Sequence, residues 1–72
     1  MEFFVLQTRQ AGDCDSSITV YATEEEAKHF ARAFLQDYVP HEMKASSLEE
    51  MMYYCWDQDL AYASWSFHQI KQ

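Results

Sequence analysis

The run Thr23-Glu24-Glu25-Glu26, followed by Ala27, Phe30, Ala31, Phe34, Leu35 and Tyr38, constrains this chain more than any other feature. Thr23 is placed to accept a hydrogen bond from the backbone N–H three residues on, and Glu26 to reach back toward Thr23, which is a capping box. The three glutamates sit where the positive end of a helix dipole favours them. The apolar positions then recur at i, i+3, i+4, i+7, i+8 and i+11, one continuous stripe on an amphipathic helix. Val39-Pro40 closes it, because the residue before a proline is pushed out of the helical region. Such a stripe must be covered, and a chain of 72 residues has to supply the cover from one domain, residues 1–72.

The remaining segments give that cover a form. Residues 3–10, Phe3 to Gln10, are rich in strand formers and turn to alternation. Residues 11–17 hold Gly12-Asp13 and a cluster of Asp and Ser, a turn-forming composition. Residues 18–22 alternate Ile18, Val20 and Ala22 against Thr19 and Tyr21, which completes a hairpin with a loop rather than a tight turn. Residues 41–46 connect to a second capping box, Ser47-Leu48-Glu49-Glu50, which opens a helix to about Gln58. Leu48, Met51, Met52 and Cys55 gather on one side of it, with Tyr54 and Trp56 flanking. Residues 60–70 set Ala61, Ala63, Trp65 and Phe67 against Tyr62, Ser64, Ser66 and His68, a third strand. The order is ββααβ: an α+β domain with a three-stranded antiparallel sheet and two helices packed on one face.

A domain this short buries roughly 60% of the surface its unfolded chain exposes. Five Phe, five Tyr and two Trp compensate, since each can bury roughly 150–250 Å². A single Gly and a single Pro leave little room for irregular loops. Two cysteines, Cys14 and Cys55, fall short of a disulfide framework and point to free thiols in a reducing compartment, with a single bridge between them as the alternative. The start, Met1 to Leu6, lacks the basic region of a secretory signal, and no run approaches the roughly 20 apolar residues of a membrane span. The expected location is the cytoplasm.

Little in the chain carries covalent chemistry. His29, His41 and His68 are scattered, and no metal-ligand spacing such as C-x-x-C or H-x-x-x-H occurs. One glycine cannot build a phosphate loop. Cys55 lies on a core stripe, where it acts as a small hydrophobe, and Asp13 and Asp15 beside Cys14 oppose thiolate formation. The Met51-Met52 pair fits core packing at helical spacing. No cofactor, metal or catalytic residue is expected, and the protein reads as non-enzymatic.

Charge is what remains. Twelve Asp and Glu face five Lys and Arg, a formal net charge of −7. Direct contact with nucleic acid or an anionic membrane is disfavoured. On the first helix Glu24 and Glu25 are within reach of Lys28, and Arg32 adds a second cation, so that outer face neutralises itself. Segment 41–59 differs: Glu42, Glu49, Glu50, Asp57 and Asp59, five acids, stand against Lys44, one base, a local balance of −4. Glu49, Glu50, Tyr53 and Asp57 form the outer stripe of the second helix, with no Lys or Arg on that helix. Asp57 and Asp59 also oppose the helix dipole. Acid placed against local preference, beside aromatics, marks Glu49, Glu50, Tyr53, Asp57 and Asp59 as partner-binding residues.

Two uses fit. A rigid display of carboxylates can occupy a basic groove made for nucleic acid, because Arg pairs with carboxylate as it does with phosphate. Alternatively, the aromatics anchor an ordinary interaction module, a homodimer included, with the acids steering association. The length, acidity, compact α+β layout and lack of catalytic motifs together resemble small phage-encoded inhibitors of bacterial defence, anti-CRISPR proteins among them. That resemblance implies stoichiometric binding, for some members at the DNA- or PAM-reading surface of a Cas effector. It assigns no residue. The expectation is a monomer or homodimer that blocks a basic nucleic-acid-binding surface of a partner protein.

Overall fold

The computed structural model describes residues 1–70. The element order is β1 (Glu2–Gln10), β2 (Ser17–Tyr21), α1 (Glu24–Leu35), a 3₁₀ turn (His41–Met43), α2 (Leu48–Asp57) and β3 (Ala61–Gln69). The sheet runs β2-β1-β3 with both pairings antiparallel. The expected α+β architecture is therefore present, and β1 is its central strand. The molecule measures 45 × 28 × 15 Å, one layer of helix on one layer of sheet.

Register fixes which side of each strand meets the helices. Leu6 is buried and lies opposite Thr19 on β2 and Trp65 on β3. Phe4 lies opposite Tyr21 and Phe67 in the same way. Since side chains alternate, the helix face holds Phe4, Leu6, Thr19, Tyr21, Ala61, Ala63, Trp65 and Phe67. Tyr21 stacks on Phe30 of α1 at 4.9 Å between ring centroids. On β2 it is thus the Thr19/Tyr21 side that faces inward, although Ile18 and Val20 are the more aliphatic pair. Ile18 and Val20 stand on the open face, 66% and 59% exposed. Pairing Phe4 with Tyr21 makes the aromatic contact to α1 possible and leaves the aliphatic residues no cover.

The core is small. Leu35, Val39, Met51, Cys55 and Ala61 form its centre, with Phe34, Tyr38, Leu48, Met52 and Tyr54 partly buried around it. Ala27 and Ala31 are fully buried where α1 meets the sheet. Both helix starts form as expected: the Glu26 amide donates to Thr23 Oγ1, and the Glu50 amide to Ser47 Oγ, each at 3.2 Å. The Glu26 carboxylate accepts from the Thr23 hydroxyl rather than from the Thr23 backbone N–H that a full capping box would use, and among the described residues the Glu50 side chain makes no such return contact at α2.

Two features of α1 differ from expectation. The helix ends at Leu35 rather than running to Val39, because the Tyr38 amide donates to Leu35 O at 3.0 Å and tightens the exit into a turn ahead of Pro40. Arg32 does not lie on the solvated face. It is partly buried and donates through both guanidinium nitrogens to the Ser46 carbonyl, with Nη1 at 2.7 Å. Nη1 also approaches Met51 Sδ at 3.4 Å. The residue that was to neutralise α1 instead ties α1 to the start of α2.

Substitution separates core from open face. Met51→Ala lowers unfolding free energy by about 2–5 kcal/mol in urea denaturation. Ile18→Thr, which keeps strand preference, changes it by no more than about 0.5 kcal/mol. Equal losses at the two sites contradict this assignment of the core.

Candidate functional site

Burial of Met51 and Cys55 sets the rotation of α2 about its axis. With those two facing inward, the 100° step between residues turns Glu49, Glu50, Tyr53 and Asp57 outward. All four are exposed. Together with Met43 and Tyr54 they line a single open groove of about 410 Å³. Four of the five residues expected in the partner site are thus brought together. The 3₁₀ turn supplies Met43 as the far wall, while Glu42 beside it, and Asp13 and Asp15 of the β1–β2 loop, are not part of the lining. Tyr53 is 66% exposed, and its ring lies 6.2 Å from that of Trp56.

Among the described residues the groove's lining has three carboxylates and no basic residue. Among the described residues the one ion pair is Lys28 Nζ to Glu24 Oε1 at 2.9 Å, on α1. Lys28 is held above its usual range chiefly by its hydrogen bond to Glu24 and by that residue's charge, with smaller contributions from Glu49 and Glu25. The field of α1 therefore reaches Glu49, which is less isolated than Glu50 and Asp57. Asp57 accepts one bond, from its neighbour Gln58 Nε2 at 3.2 Å. Glu50 gives its backbone N–H to the cap while its side chain stays out of it, so one residue serves both helix start and groove.

Asp59 is elsewhere. It follows the C-cap of α2 with φ of 55°, a left-handed conformation usually left to glycine. The Leu60 amide donates to Cys55 O at 2.9 Å and the Asp59 amide to Trp56 O at 3.2 Å, the two bonds of a Schellman motif. The Asp59 carboxylate accepts from the Tyr62 hydroxyl. Its position against the dipole thus has a structural cause: it stops the helix and holds Tyr62, which carries Arg9 over its ring at 4.7 Å.

A second concavity, about 270 Å³, runs between α2 and β3, lined by Met52, Tyr53, Trp56, Tyr62 and Ala63. Tyr53 borders both. The sequence named Trp56 as a flank of the apolar stripe, but Met43, Tyr62 and Ala63 enter through the turn and strand, which helix periodicity cannot foresee. Cys14 and Cys55 are free thiols, the first exposed and the second buried, and burial pushes the Cys55 thiol up. Among the described residues no three His, Cys, Asp or Glu side chains converge to hold a metal ion, and no helix is long and apolar enough to cross a membrane.

The Asp59–Tyr62 bond has a pH consequence. Tyr62 ionises above its ordinary value, first because of the hydrogen bond to Asp59, then desolvation and the carboxylate's charge, with Arg9 opposing. A raised folded-state pKa means that the bond's stabilisation is complete below the unfolded tyrosine value of about 10 and is lost as pH rises through the folded one. In an alkaline titration read by tyrosinate absorbance, Asp59→Ala lowers the Tyr62 midpoint, with Tyr62→Phe identifying the signal; an unmoved midpoint contradicts the contact. No protein family model, curated protein or solved structure matches this chain.

Proposed function

We propose that the protein is a non-enzymatic inhibitor by occupation: it seats the acidic outer face of α2 in a basic, nucleic-acid-binding groove of a partner protein and blocks it. One observation carries this reading. Glu49, Glu50 and Asp57 share one groove with Tyr53, and none of the described residues that line it is a cation.

The spacing is suitable. Glu50 and Asp57 lie two turns apart, about 10 Å along the helix axis. Duplex DNA carries a charge every 1.7 Å or so of its axis, so the stripe reproduces the sign and rigidity of a phosphate array rather than its density. The loss in density is offset by Tyr53, an amphipathic ring able to pack where a sugar or base would lie. Charge-assisted pairing with Arg supplies orientation. The heteroduplex channel of a CRISPR effector, which is positively charged and reads backbone geometry, is one partner surface of this chemistry. The steering expected of a chain with net charge −7 speeds its encounter with such a surface.

The test is capture from a bacterial lysate by the tagged protein, beside the double variant Glu50→Lys/Asp57→Lys. The wild type retains a protein that itself binds DNA or RNA, and duplex DNA or RNA displaces it. The double variant loses at least about a hundredfold in affinity, the scale of two charge-assisted pairs at about 1.5–3 kcal/mol each, and keeps its wild-type circular dichroism. Equal retention by both proteins, or a captured protein indifferent to nucleic acid, sinks the proposal.

A further inference from the structure

Edge strands that stay free are usually protected by Lys, Pro, a bulge or a covering loop. Among the described residues β3 has none of these. Ala61–Gln69 is nine residues long and contains no Lys, Arg, Asp, Glu, Pro or Gly. It pairs with β1 in unbroken register, and β1 lies on one side of it only. Ser64 and residues 66–69 are exposed. Beside this edge, α2 contributes Met52, Tyr53 and Trp56 to the groove whose strand wall is Tyr62 and Ala63. Trp56 is 63% exposed. A helix flanking an open strand edge, with an apolar groove between them, is the arrangement that receives an extended chain by strand addition.

We infer that the β3 edge and the α2–β3 groove bind an extended segment of a basic partner, which adds a strand beside β3 and lays one apolar or aromatic side chain against Trp56 and Tyr62. The inference rests on the basic partner proposed above and identifies how part of it is held. Charge selects this occupant: among the described residues the acids beside the groove outnumber its one neighbouring cation, Arg9, which lies over the Tyr62 ring. At 100° per residue Glu49 falls between Trp56 and Tyr53 around α2, and Asp57 adjoins Trp56 in sequence. A second copy paired antiparallel along β3, about a two-fold axis normal to the sheet, would keep both helix layers on one face and bring α2 beside its own counterpart, and with it these carboxylates against their equivalents. A segment alternating basic with apolar residues meets the same surface with opposite charge. β2, the other edge, is also uncharged, but it has five residues and borders neither groove, so it serves as an internal control.

The probe is a synthetic heptapeptide alternating lysine with valine or phenylalanine, set against one alternating lysine with glycine. Amide hydrogen exchange and NMR titration of the full chain read the outcome. The first peptide slows exchange along Ala61–Gln69 and leaves Ser17–Tyr21 unchanged, while the glycine control binds at least about tenfold more weakly. Trp56→Ala, at an exposed position, weakens binding about tenfold without altering exchange in the core. Protection of β2 instead of β3, equal binding of the two peptides, or a mass in solution that doubles with concentration before peptide is added overturns the inference. The peptide assay contains no nucleic-acid-binding protein and the capture assay does not measure the β3 edge, so failure of one reading is distinguishable from failure of the other.

Discussion

The rest of the structure depends on Met51 and Cys55 packing against Leu35 and Ala61. Burying a side chain of methionine size contributes roughly 1.5–3 kcal/mol, whereas burying an unpaired carboxylate costs far more. Rolling α2 by a third of a turn would carry Glu49 or Glu50 toward the sheet, so the observed rotation has no close competitor. That rotation delivers the acids and Tyr53 to one groove. Small residues make the contact close: Ala27, Ala31 and Ala61 are fully buried at the helix–sheet contact. Phe30, Tyr53, Trp56 and Phe67 remain largely exposed at the periphery of this contact.

Arg32 completes this arrangement. Its guanidinium answers a carbonyl just ahead of the α2 cap and touches the thioether of the central core methionine. The ends of both helices are similarly determined by local bonds: Thr23 and Ser47 at the starts, Asp59 at the exit of α2. Between the helices, the connector is bonded through the Met43 amide to Pro40 O and the Ser46 amide to Met43 O, and Met43 lines the groove with Tyr53.

What was legible in the sequence was what local physics decides. Both N-caps, both apolar stripes, three strands and the outer stripe of α2 follow from periodicity and side-chain reach. What was not legible came from tertiary choice. Alternation on residues 18–22 leaves open which face of β2 turns inward, and the ring contact between Tyr21 and Phe30 decides it. Arg32 looks solvated at helical spacing until α2 arrives beside it. Asp59 looks like a functional acid because it opposes the dipole; its φ of 55° shows a helix stop. The α2–β3 groove joins residues from two elements whose adjacency follows from the sheet order β2-β1-β3, which strand patterning leaves open.

The acidic groove and the strand edge are complementary rather than alternative. One offers carboxylates without backbone pairing, the other offers the backbone groups of β3 at the border of the same carboxylates, and Tyr53 borders both. A basic surface with an extended arm would engage the two together, which gives the small, thin domain more contact area than either groove alone. The most direct measurement of the central claim is the salt dependence of affinity for the captured partner, wild type against Asp57→Asn. Occupation of a nucleic-acid groove by carboxylates predicts a dissociation constant that rises steeply with salt, with a shallower slope in the variant. Affinity that is indifferent to salt, or a slope unchanged by loss of the Asp57 charge, contradicts it.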